Sequence, residues 1–133
     1  MNSPLWELQQ AIYTRLDGDL SEAVYDFMPP TPSKPYVFME DEDANAIEDK
    51  GGGLWVVNSR LTLFSDQEDS EELKTLCDSV VTSMSSGVTI SGSWVKVRQE
   101  QLPLMRTFRA QTVDGTQGRA AEITYQFLIQ ESS

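Results

Sequence analysis

Histidine is missing from this 133-residue chain, and cysteine occurs once, at Cys77. Without histidine the commonest general base, the usual metal ligand and the side chain that titrates near neutral pH are all absent. A single cysteine excludes an intrachain disulfide and is compatible with a reducing compartment. Positive charge is scarce as well: ten Lys and Arg stand against 21 Asp and Glu, a net charge of −11. Affinity for a phosphate backbone comes from Lys and Arg releasing counterions, so this balance works against direct nucleic-acid binding. It suits a surface over which DNA passes without sticking. No apolar run approaches the length of a membrane span. Met1–Asn2–Ser3–Pro4 shows no positive segment leading into an apolar one, so the expectation is a soluble intracellular product without a signal peptide.

What is present is globular. A hydrophobic content of 39% with 9% aromatic residues is too rich for a disordered acidic tail. The length suits a single domain over residues 1–133.

Ser3 and Pro4 read as the N-cap and first turn of a helix. Leu5, Leu8, Ile12 and Leu16 form its apolar stripe, and Asp17–Gly18 ends it. Trp6 and Tyr13 lie off that stripe and read as widening the buried face. Ala23–Phe27 is a short extended segment. The run from Met28 to Pro35 carries four prolines and is a stiff connector into the extended segment Pro35–Met39. In Leu54–Phe64, Trp55, Val57, Leu61 and Leu63 alternate with Asn58, Arg60 and Thr62, the mark of a strand with one wet face. A second helix follows Ser65–Ser70, with Leu73, Leu76, Cys77, Val80 and Met84 as its buried stripe, which makes Cys77 a small core residue and not a nucleophile. Ser85–Ser86–Gly87 closes it. The remainder reads as a three-strand meander: Val88–Gln99 broken near Gly92, then Leu102–Val113, then Arg119–Gln130 after the turn Asp114–Gly118. The expected fold is α+β, a mainly antiparallel sheet with two α-helices packed on one face.

Between Met39 and Leu54 the sequence is acidic and ends in three glycines. Residues 41–53 read as a long, flexible hairpin loop, and Asp41, Glu42, Asp43, Glu48 and Asp49 as a candidate interaction site awaiting a partner. Asp41-x-Asp43-x-Asn45 opens like a calcium loop, but Ala46 stands where glycine is required and Gly52 where a bidentate glutamate belongs. An EF-hand is excluded, which leaves only weak divalent-ion binding by clustered carboxylates. Gly51–Gly52–Gly53 lacks the Lys–Ser/Thr of a phosphate loop. No catalytic constellation is present, no cofactor or metal site is expected, and the expectation is a protein that is not an enzyme. Arg98, Arg106, Arg109 and Arg119 gather in the C-terminal strands, away from the acids. Such segregation of sign is what a head-to-tail ring interface uses, and the four are candidate ring-interface arginines.

Several phrases in this order resemble the tail terminator (tail completion) proteins of long-tailed bacteriophages. Leu8–Leu16 is similar to that family's opening helix. Val24–Tyr25–Asp26, a proline-rich step and Pro35–Tyr36–Val37–Phe38 resemble its next block, and Leu61–Ser65, the second helix and Arg119–Gln130 complete the pattern over nearly the full length. The acidic stretch is longer than the family pattern. The resemblance implies a structural virion protein of the tail and neck, assembled in the host cytoplasm. It implies a homohexameric ring that caps the tail tube, ends tail polymerisation and forms part of the head-tail joining interface. The implied partners are further copies of the chain, the tail tube protein and a head connector or stopper protein, with DNA passing through the channel unbound and no membrane involved. Two alternatives remain at this point: a head-closure or adaptor subunit, and an acidic inhibitor that mimics DNA.

Overall fold

A computed structural model describes residues 4–47, 53–90, 92 and 94–131 of the chain. The elements run α1 (Leu5–Asp19), β1 (Ala23–Tyr25), β2 (Tyr36–Ile47), β3 (Leu54–Ser65), α2 (Glu71–Ser85), β4 (Trp94–Gln111) and β5 (Gln117–Glu131). The strands form one sheet in the order β1-β2-β3-β5-β4, in which β1 and β2 are parallel and every other pair is antiparallel. The fold is α+β, as the alternation and the two helical stripes require.

Both helices lie on one face of the sheet. Leu8, Ile12 and Leu16 of α1, and Leu73, Leu76, Cys77, Val80 and Met84 of α2, are buried against Val57, Leu61 and Leu63 of β3 and Ile123, Phe127 and Ile129 of β5. Burial raises the Cys77 thiol above its usual pKa, with the Asp78 charge adding to the effect, as befits an inert core residue. Burying a Leu or Phe side chain is worth about 1.5–3 kcal/mol, so this layer supplies the bulk of the driving force.

Local bonds fix the helix ends. The Asp69 carboxylate accepts from the Glu71 N–H at 3.1 Å, and Glu71 and Glu72 add negative charge at the positive end of α2. At the other end the Gln99 side chain of β4 donates to the Met84 carbonyl (2.7 Å) and accepts from the Val88 N–H (3.1 Å), capping α2 from the sheet. Gly87, at φ +80°, makes the turn that brings the chain there. The Ser83 hydroxyl donates to Asp19 at 2.6 Å and ties the two helices together.

Four expectations need correction. Residues 41–47 are strand and not loop: β2 pairs with β3 as far as Ile47↔Leu54, past an irregularity between Met39 and Glu42. β3 is 12 residues long and needs a partner of matching length, which overrides the poor strand propensity of Asp and Glu. Second, the C-terminal part holds two strands and not three. β4 is a single 18-residue strand whose register shift between Gln101 and Met105 absorbs Pro103, while Val88–Ile90 are not in a strand. Third, Trp6 is 61% exposed and Tyr13 is exposed too, so neither widens the core. Fourth, α1 runs through Gly18 to Asp19, where the Leu20 N–H still bonds the Leu16 carbonyl. The expected cap at Ser3 and the hinge glycines Gly51 and Gly52 lie outside the described residues.

Candidate functional site

On the helix-free face of the sheet, as elsewhere among the described residues, no three Asp, Glu or Cys side chains are grouped to hold a metal. The parts of this face are a small aromatic cluster, a polar ladder and two dissimilar edges.

The aromatic cluster covers the end of the sheet nearest β1. Tyr36 stacks on Phe64 (centroids 5.4 Å apart) and meets Tyr25 edge-on at 5.8 Å, with Ala120 beneath and Phe38 and Phe108 at the margin. The Tyr36 hydroxyl shares a buried hydrogen bond with the Thr112 hydroxyl at 2.8 Å. Burial is the main reason its pKa is raised, partly offset by that bond. Beside it the Lys34 ammonium donates to the Asp114 carboxylate at 2.5 Å. That bond, with help from the Thr116 N–H, holds Asp114 down to about 2. The proline-rich connector is thereby clasped to the β4–β5 turn, where Gly115 takes φ +88°. Gly118 is needed here for a different reason: a Cβ would lie 2.1 Å from the Ser65 carbonyl oxygen.

The ladder runs along the middle of the open face. Asn58 donates to Asp43 at 3.0 Å and accepts from Gln126 at 3.0 Å, so three strands are joined through amides. One step along, Thr62 donates to Glu40 at 2.7 Å. Arg60 lies 3.7 Å from Asp41 and 3.8 Å from Glu122, and Arg106 lies 3.6 Å from Glu122 while its guanidinium covers the Phe108 ring at 4.8 Å. These exposed pairs orient side chains and add little stability.

The predicted site residues separate accordingly. Asp41, Glu42 and Asp43 stand on β2, and Glu48 and Asp49 lie outside the described residues. The four arginines do not form one patch. Arg98 and Arg106 pair with Leu128 and Glu122, residues of the open face, whereas Arg109 and Arg119 face each other on the helix side, where Arg119 donates to the Glu68 carbonyl at 2.9 Å. Among the described residues Arg98 and Arg109 make no ion pair. The feature of this region that sequence reasoning missed is the edge position of β4. It carries three of the four arginines together with exposed Val95, Val97 and Leu104. No helix among the described residues is long and apolar enough to cross a membrane.

The chain matches the family described as "Tail completion protein gp17" over residues 10–128. Among solved structures it is similar to a chain of the "Virion of native gene transfer agent (GTA) particle". The two share 22% identity with a TM-score of 0.81, over 98% of this chain and 99% of that one. The likeness is one of fold. No curated protein matches the chain.

Proposed function

This chain belongs to the tail completion protein gp17 family, and from that premise we propose that it acts as a ring, a homohexamer, which caps the tail tube, ends its polymerisation and joins the tail to the head connector. The family is one of structural tail proteins of the virion, which interact with other structural proteins of the particle. The proposal gives residues 1–133 one role, as a single unit whose work is geometric. A ring docked on the last tube ring blocks further addition and leaves a channel for DNA. A net charge of −11 keeps that channel from holding the DNA backbone.

The observation that carries the reading beyond the family is the sorting of charge across the sheet. Asp41, Glu42 and Asp43 stand on β2 near one edge, and Lys96, Arg98, Arg106 and Arg109 stand on β4 at the other. An arrangement that offers opposite signs on opposite sides suits head-to-tail association of identical copies, which closes into a ring. An inhibitor mimicking DNA needs its carboxylates spaced over one face, and here they are spread between β2, the helix starts and the loop before α2.

The reading is tested by assembling tail tubes from purified tube protein with and without this protein. The expected result is tubes of limited length bearing a ring at one end, and tubes of unregulated length when the protein is omitted. Unchanged tube length, together with binding only to the head connector, would assign it to head closure instead.

A further inference from the structure

The sheet ends in two open edges. Beyond Phe38, the last residue of β2 that pairs with β1, no described strand covers the outer side of β2, and none covers the outer side of β4 along its 18 residues. Uncovered edges present rows of unpaired N–H and C=O groups and invite pairing with another chain. Long ones are normally blunted, and Pro103 with its register shift does so for the middle of β4. The segment before it, Val95–Gln101, has its own register shift between Lys96 and Arg98 but no proline, so each residue keeps its backbone N–H, and Val95 and Val97 are exposed.

The two open stretches lie at the same height. Through β3 and β5, Glu42 aligns with Gln101 and Ile47 with Val95. Three successive antiparallel pairings separate β2 from β4, so the two run in opposite senses. Rotation about an axis along the strands preserves strand sense. A copy placed beside β4 by such a rotation therefore brings its β2 up antiparallel, the more stable mode of pairing. Charge favours this contact over β4 pairing with itself, because β2 brings Glu42 and Asp43, whereas a second β4 brings Lys96 and Arg98 with the single acid Glu100. Without stagger Asp43 would stand level with Glu100. A two-residue shear, of the kind every closed sheet requires, sets it opposite Arg98.

We propose that the ring closes by sheet extension, with Val95–Gln99 of β4 in one subunit pairing antiparallel with Glu42–Ala46 of β2 in the next copy. The inference rests on the ring reading above and specifies its interface. It gives the acidic part of β2 its partner, the edge of a second copy of this chain.

The test uses the full chain with Cys77→Ala, carrying Asp43→Cys and Arg98→Cys together or singly, mixed with tube protein and treated with a short bis-maleimide. The double variant is expected to give a cross-linked ladder that stops at the size of the ring, and each single variant none. If a ring of normal mass forms but no cysteine pair across Glu42–Ala46 and Val95–Gln99 cross-links, the edge pairing is overturned and the ring stands. Dimers from Arg98→Cys alone would show β4 pairing with itself. A protein that remains monomeric with and without tube overturns both readings. A charge exchange keeps the question open to decision should the cysteine variants fail to fold. Asp43→Arg and Arg98→Asp should each raise the concentration needed for assembly about tenfold, and combining them should restore it. Failure of the combination to restore assembly counts against the pairing.

Discussion

On the helix-covered face of the sheet Leu61, Ile123, Phe127 and Ile129 are sealed from water, while on the face behind them Asn58, Arg60, Glu122 and Gln126 stay partly exposed and bonded to one another. The same strands supply both sets, because alternate side chains point opposite ways. The covered face shuts out solvent by burying area, and its order is decided within one chain. The open face holds its polar groups in weak pairs, and no described strand covers the outer side of β4 or that of β2 beyond Phe38. Substitutions on the covered face should therefore cost the most folding stability, and those in the exposed pairs of the open face the least.

The largest effect is expected at Phe127, which is fully buried. Phe127→Ala should destabilise the monomer by about 3–5 kcal/mol, measured by urea denaturation, a large part of the total for a domain of this kind. Gln99→Ala comes next. It strips the Met84 carbonyl and the Val88 N–H of their shared partner and should cost about 1–3 kcal/mol. On the open face Tyr36→Phe leaves the Thr112 hydroxyl without its buried partner, and a loss of about 1–2 kcal/mol is expected by the same measurement. Arg106→Gln is expected to change stability by no more than about 0.5 kcal/mol, since its ion pair is exposed. A loss comparable to that at Phe127 would erase the distinction between the faces.

The smallest effect concerns pH. Asp114 is depressed to about 2 in the folded chain, from an ordinary value of 3.8, chiefly by the Lys34 hydrogen bond. A depressed carboxylate contributes stability that is present above the ordinary value and lost as pH falls through the folded one. Between about pH 4 and pH 2 the urea midpoint of the wild-type chain should therefore fall more steeply than that of Asp114→Asn. Parallel curves would show that the clasp between the proline-rich connector and the β4–β5 turn contributes nothing.

How much of this was legible in the sequence differs by region in the same way. The stripe Leu73, Leu76, Cys77, Val80 and Met84, and the alternation from Ala121 to Ile129, name the buried face residue by residue, because burial imposes a period. The acidic stretch Asp41–Ile47 carries no such pattern. Asp and Glu are poor strand formers, and Asp41–Ile47 is a strand because β3 pairs with it through Leu54. The available clue was length: Leu54–Ser65 far exceeds what Pro35–Met39 could cover. The same clue applied to β4. In the sequence one strand reads as ending at Gln99 and another as beginning at Leu102, yet the 15 residues of β5 need a neighbour as long, and a bulge lets one strand serve. Which strand ends up at an edge is a property of the sheet order, so the arginines on β4 could be grouped by charge but not assigned to faces.

The most direct measurement is the mass of the purified protein by light scattering, alone and then mixed with its tail tube protein. A hexamer, preformed or appearing only when tube is added, is the predicted result. A monomer indifferent to the tube would contradict the ring, and with it the role assigned to both edges of the sheet.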